Sequence, residues 1–239
     1  MRNALITLPL LALVACGTAN SESRDAGTSA TRSFAVGPFD AVSLEGSDNV
    51  RVVRGPVISV TATGSQRVLD LLNIRVERNT LKIDRKSGRS NWSWGNDRGA
   101  MITVTMPTIT AAGVAGSGDM TVDRADGERF GAAVEGSGNL NVASVAVKRA
   151  QLAAEGSGDL TIAGAATDVT MAAEGSGNID ARGLVSQTAT IAVEGSGDIS
   201  ATVRGRATIA VESSGNVDVT GTSNCAIVKE GSGEARCSQ

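Results

Sequence analysis

The sequence predicts an all-β fold, a single-domain parallel β-helix or solenoid with coils of 18–20 residues and an irregular, β-rich N-terminal cap. Three observations predict it. The element Gly-Ser-Gly-Asp/Asn starts at Gly116, Gly136, Gly156, Gly175 and Gly195, with relaxed copies at Ser213 and Gly231, spaced 20, 20, 19, 20, 18 and 18 residues. A fixed period of this length marks stacked repeats. The flanks alternate, as in Ile191-Ala192-Val193-Glu194 and Ile199-Ser200-Ala201, which is the period of two that belongs to strands. The chain of 239 residues holds 29 Gly but only 2 Trp, 3 Phe and no Tyr, so its core is narrow and built from Ala, Val, Ile and Leu. The unit is too short for a propeller blade of about 40 residues and lacks the Leu-Asn signature of leucine-rich repeats.

The elements follow in chain order. Residues 1–15 read as a lipoprotein signal peptide: Arg2 gives a charged start, and Leu5 to Val14 is an apolar run. That run falls short of the about 20 residues a bilayer span needs. Leu13-Val14-Ala15-Cys16 has the form of a lipobox, which makes Cys16 the acylated N-terminus of the mature chain. Several acyl chains on one residue meet the requirement of more than one lipid for stable anchoring. An ordinary signal peptide with an incidental Cys16 is the alternative. Gly17 after the cysteine favours the outer membrane. Residues 16–33 then form the lipidated cysteine and a polar tether, without a large apolar residue to order it.

Residues 34–110 read as the irregular capping part of a domain running 34–239. Ala41 to Val52, with Gly46-Ser47-Asp48-Asn49, is a diverged first copy; Ile74 to Asp84 alternates around a hairpin turn at Arg78-Asn79-Thr80; Met101 to Met106 is a strand stopped by Pro107. Ser87 to Ala100 is a polar loop carrying Trp92 and Trp94, placed to stack on a sugar or to tuck onto the cap. Residues 111–239 are the regular repeats. The corner glycines are expected to supply positive φ and close approach of successive backbones. The following Asp or Asn is expected to tolerate left-handed geometry and to bond backbone amides.

These motifs resemble the head GIN domain family, an auto-transporter adhesin head. The resemblance rests on Phe39-Asp40-Ala41-Val42 with Val50-Arg51-Val52, on Ile102-Thr103-Val104-Thr105-Met106-Pro107, and on the recurring Gly-Ser-Gly-Asp/Asn, over about residues 34–235. It implies a β-helix on secreted or lipid-anchored bacterial proteins, and no established activity.

Chemistry is sparse. There is no His, which removes Ser-His and Cys-His catalysis and His-ligated metal or haem. A net charge of −3 argues against nucleic acid as a partner. Stacking would align Glu135, Glu155, Glu174, Glu194, Glu212 and Glu230 in one row. Asp119, Asn139, Asp159, Asn178, Asp198 and Asn216 would form another. The functional reading is a weak Ca²⁺ row on Glu135, Glu155, Glu174, Glu194, Asp119, Asp159 and Asp198. The bland reading, a solvated face in which Asp and Asn cap turns, is favoured. A polysaccharide-cleaving β-helix needs two differently tuned carboxylates in a cleft, and identical rungs single none out. No cofactor is expected. The expected protein is a non-enzymatic cell-envelope scaffold of binding or adhesion type. It would be held on the membrane by its lipid, facing surface or periplasm, with a glycan or envelope protein as partner. The alternatives are a polysaccharide-acting enzyme and a purely structural component. Cys225 and Cys237 share parity with inward Ile227 and Ala235, and lie on the rows of Ala189 and Ala201. An intramolecular disulfide there would staple the last coil; two buried reduced thiols, or one thiol paired with another protein, are the alternatives.

Overall fold

The computed structural model describes residues 29–86 and 99–239. The expected signal peptide, Cys16, most of the tether, and the Trp92–Trp94 loop lie outside them. Within them, seventeen strands join in one continuous sheet wound into a solenoid of about six turns.

The cap is built by a detour in chain order. Strand β1 (Ser29–Phe34) is followed by β2 (Ala41–Leu44) and β3 (Asn49–Arg54), then by β4 (Ser59–Ser65), α1 (Gln66–Leu71) and β5 (Leu72–Glu77). Next come β6 (Thr80–Arg85), β7 (Met101–Met106), β8 (Ala111–Val114) and β9 (Met120–Val122). Strands β2 and β3 form the first coil, and β8 and β9 stack on one edge of it in parallel. On the other edge lie β6 and β7, also parallel. The chain thus lays one coil, passes over it to build the lid, and returns beneath it.

Antiparallel strands finish the lid: β4 on β7, β1 on β4, and β5 on β6. The β5–β6 hairpin turns through Arg78 and Asn79 at φ 47° and 65°, the left-handed pair a two-residue loop requires. The short α1 was not apparent in the sequence. Its N-cap is Ser65, whose hydroxyl accepts the Val68 N–H at 3.3 Å, and it buries Val68 and Leu69.

The tether ends sooner than its composition implied. Residues 29–33 belong to β1, where Ala30 packs half-buried against the core. They complete the edge of β4, with Thr31 opposite Thr63, while the Arg32 guanidinium donates to Leu69 O at 2.9 Å and to Asp70 at 2.5 Å.

The regular coils use long strands: β10 (Ala125–Val134), β11 (Leu140–Ala154), β12 (Leu160–Ala173), β13 (Ile179–Val193) and β14 (Ile199–Val211). Strands β11 to β14 run through bends that the ladder absorbs as register shifts, as between Val142 and Val145. A second bend shows as two successive outward residues, 148–149 or 187–188. Equivalent side chains stack into buried columns, such as Leu152, Met171, Ile191 and Ile209, or Leu140, Leu160, Ile179 and Ile199.

The corner glycines have one of the two roles expected of them. None takes a positive φ; the positive-φ glycines are Gly127, Gly164 and Gly221. Left-handed geometry is likewise absent from the following Asp and Asn, since the positive-φ non-glycine residues are Arg78 and Asn79. Close approach decides instead. A Cβ on Gly138, Gly158 or Gly197 would lie 2.0 Å from the carbonyl oxygen of the matching glycine one coil earlier.

The last coil comprises β15 (Val217–Thr220), β16 (Cys225–Lys229) and β17 (Ala235–Ser238). Strand β16 stacks on β14 and β17 on β15, so β16 and β17 form the open end. Lys229 stands where buried Val211 stands one coil earlier. A charge at an inward position of an open edge discourages further strand addition.

Candidate functional site

The stacked corners are the most regular surface of the molecule. From Gly46 to Gly175 each first-glycine carbonyl accepts two N–H groups from the next corner, and Gly195 O accepts one, from Gly215 at 3.2 Å. Gly136 O takes Ser157 N at 2.9 Å and Gly158 N at 3.1 Å, and Gly156 O takes Ser176 N and Gly177 N at 2.9 and 3.0 Å. At the relaxed copy, Ser213 adds a hydroxyl that donates to Gly195 O.

Beside this ladder runs the Asp/Asn row. Asp119 Oδ1 accepts both the backbone N–H and the side-chain amide of Asn139, each at 2.9 Å. Asp159 receives the same pair from Asn178 at 2.9 Å, and Asp198 from Asn216 at 2.8 and 2.9 Å. Each Asn in turn accepts the backbone N–H of the next Asp: Asp159 N on Asn139 at 3.0 Å and Asp198 N on Asn178 at 2.9 Å. The alternation is therefore a hydrogen-bond code in which an acceptor-only carboxylate always faces an amide donor. A row of Asp alone would leave those carboxylates facing one another.

The Glu row is exposed. Glu135, Glu155, Glu174, Glu194, Glu212 and Glu230 all point to solvent. Neither acidic row converges: among the described residues no group of three or more His, Cys, Asp or Glu is placed to hold a metal ion. At the cap Glu45 continues the row and pairs with Lys82. Near the open end a cavity of about 310 Å³ is lined by Asp198, Ser200, Asn216, Asp218, Glu234 and Arg236, and Arg236 reaches Asp218 at 3.4 Å.

Cys225 and Cys237 are joined by a disulfide, with S–S 2.03 Å. Cys225 stacks on Ala207 and Cys237 on Val219, and these continue the columns of Ala189 and Ala201. The bridge crosses the inside of the last coil, where a further coil would otherwise cover the core.

Two features escaped the sequence reading. Asp48 occupies the place of the second corner glycine, matching Gly118, and is 1% exposed. Its carboxylate takes Arg85 in two bonds of 2.7 and 2.8 Å and the Ala100 N–H at 2.7 Å. In the first coil no glycine carbonyl sits above this position, and the carboxylate takes the space. The other is a partly basic row two bends from the corners: Arg129, Arg149, Asp168, Thr188 and Arg206 stack in register. Beside it Lys148 pairs with Glu128 at 2.9 Å and holds that carboxyl below the usual range. Only alignment of the strands, which spacing within one repeat does not give, brings these residues into a row.

Comparison with known proteins places this architecture. A family model described as "Putative auto-transporter adhesin, head GIN domain" matches residues 38–223. A protein from Bacteroides fragilis described as a putative adhesin superposes with TM-score 0.79 at 22% identity, over 88% of this chain and 97% of the other. Another from Parabacteroides distasonis, described as a putative lipid binding protein, gives 0.68 at 19% identity, over 89% and 97%. A second Parabacteroides distasonis protein, described as a putative adhesin, gives 0.67 at 18%, over 89% and 98%. At these identities the solved structures establish the shared fold. No curated protein matches the sequence. The family match spans both the detoured cap and all but the last of the stacked coils, and the chain belongs to the auto-transporter adhesin head GIN domain family.

Proposed function

We propose that this protein is a non-catalytic binding scaffold of the bacterial cell envelope, anchored by lipid on Cys16 and presenting its solenoid to an envelope or surface partner. The observation that carries the reading is the uniformity of the exposed surface. The same Glu, Ser and Asp/Asn groups recur at the corners coil after coil, and along these described rows no set of unlike residues is gathered as catalysis requires. Such a surface suits a repetitive partner, a glycan or a surface protein, met over many coils. The adhesin description of the family and of two structural neighbours supports the reading. Among the described residues no helix is long and apolar enough to cross a membrane; the proposed attachment rests on the lipobox Leu13-Val14-Ala15-Cys16.

The test has two arms. Fractionation compares the native chain with Cys16→Ser, and the native chain is expected in the membrane pellet with the variant released. Arrays of envelope glycans and extracellular proteins are then probed with the exported protein. Saturable binding without turnover supports the scaffold. Cleavage of any polysaccharide overturns it, and absence of binding across the arrays leaves a structural role in its place.

A further inference from the structure

The straight arm that leads into each corner presents an outward face with an unusual frame. In the coil of β11 its outward residues are Arg149, Gln151, Ala153 and Glu155; the intervening Ala150, Leu152 and Ala154 are buried. The same positions hold Arg129 to Glu135 one coil before and Arg206 to Glu212 three coils after. Between the rims the face is small and uncharged: Ala133, Ala153, Ala172, Ala192 and Ala210 form one column, and Thr170, Thr190 and Thr208 lie in the next. Arg129, Arg149, Arg206, Glu135, Glu155 and Glu212 are all exposed and make no ion pair among the described residues. The face is thus a sheet surface with a basic rim along one side and an acidic rim along the other.

We propose that this face binds a second copy of the same chain, with the two solenoids side by side and pointing the same way. A two-fold axis parallel to the solenoid axis reverses the face from side to side without shifting it along its length. The acidic rim of one copy then meets the basic rim of the other at the same coil. Glu135 faces Arg129 of the second copy, Glu155 faces Arg149, and Glu212 faces Arg206, each pair formed twice. The opposite, antiparallel packing lays the acidic rim on the acidic rim, which like-charge repulsion disfavours. One position opposes the arrangement: Asp168 stands in the basic row, where its carboxylate accepts the Thr188 hydroxyl at 2.6 Å, and it faces Glu174 of the second copy. Six residues of strand and the five coils of β10 to β14 give a face of about 20 by 24 Å, roughly 480 Å² per copy. The total of about 960 Å² lies below the range of stable specific pairs, so the dimer is weak in solution. Small side chains let the two sheets approach closely. Both caps lie at the same end, as the lipid anchoring proposed above requires of two chains on one bilayer, and such tethering would raise their effective concentration.

The experiment is sedimentation of the full chain carrying Cys16→Ser, so that no acyl group drives association, from about 1 µM to about 1 mM. A monomer–dimer equilibrium is expected, weakened as salt rises from about 50 to 500 mM. Glu155→Arg and Arg149→Glu are each expected to weaken it about tenfold or more. The double variant restores it, because the swapped charges face each other only in the parallel, same-coil arrangement. Circular dichroism and thermal midpoints are expected to stay unchanged, since both side chains are exposed. A monomer across the whole range overturns the proposal. A dimer indifferent to both reversals, or one that the double variant fails to rescue, also overturns it. None of these outcomes depends on whether the chain binds a glycan.

Discussion

At Gly197 one added carbon would meet Gly177 O at 2.0 Å, and that oxygen cannot move without opening the stack. At Gly131 the same carbon meets nothing closer than the Ala111 Cβ at 3.7 Å. Gly197→Ala is therefore expected to cost about 2–4 kcal/mol, the scale of overpacking a tight interior. Gly131→Ala should be neutral or stabilising by about 0.5–1 kcal/mol, because it removes glycine freedom from a strand. Urea denaturation of the pair checks both signs. The identity of these glycines was legible in the repeat; of the two reasons read from it, close approach holds and positive φ does not. A period in sequence shows that something small recurs, but not whether φ or a neighbouring carbonyl demands it. The Asp/Asn row has the same character. Asn178→Asp would set a second carboxylate where the amide donates to Asp159 at 2.9 Å. Like charges at that distance raise the folded-state pKa of the pair above its unfolded value, so the penalty is present at neutral pH and fades as pH falls through the carboxylate range. A loss of about 1–2 kcal/mol at pH 7 that shrinks at pH 4 is the expected result.

Among the elements, the two ends of the solenoid carry the most specific chemistry. Asp48 is buried and held by Arg85. Arg85→Ala strands a buried carboxylate and is expected to cost about 3–5 kcal/mol. Asp48→Gly removes the charge and restores the residue found in the other corners, so it should cost clearly less; thermal unfolding of the two variants is the measurement. At the other end the disulfide spans 12 residues, and closing such a loop contributes about 3 kcal/mol in the chain-entropy model. On reduction, amide exchange should rise in Cys225–Lys229 and Ala235–Ser238 while Leu160–Ala173 stays protected. The regular coils were legible because each strand pairs with the next repeat, and the period states the pairing directly. The cap was legible in its parts, the first copy at Ala41 to Val52, the hairpin turn at Arg78 and Asn79 and the strand Met101–Met106, but not in its pairing. Its strands pair with partners that chain order does not announce, β6 on β2 and β7 on β3. The one helix among the described residues is six residues long, too short for a helical period to show against the alternation on either side. Residues 29–33 looked like tether because their composition is polar, yet an edge strand needs backbone partners more than apolar side chains.

For the molecule as a whole, the absence of His means that no side chain with an ordinary pKa titrates between about pH 5 and 8. Among the described residues four carboxyls, exposed or half-buried, lie below their usual range, each beside a cation: Asp70 by Arg32, Asp126 by Arg124, Glu128 by Lys148 and Asp180 by Arg182. A carboxyl lowered in the folded state contributes stability above its ordinary pKa and loses it as pH falls through the lowered one. The thermal midpoint is expected to be flat from about pH 8 to 5 and to decline below about pH 4, a course that scanning calorimetry would trace. The detour that puts β6 and β7 over the first coil also gives assembly a direction. With one edge of that coil roofed, chain can be recruited only at the other. Winding then proceeds from N- to C-terminus, the order in which an exported chain emerges from a channel. Successive coils are close copies, so an edge that accepts the next repeat also accepts the one after it. The characteristic error of such a winder is a skipped coil, looped out whole, with every inward residue still inward and the rod one rung short.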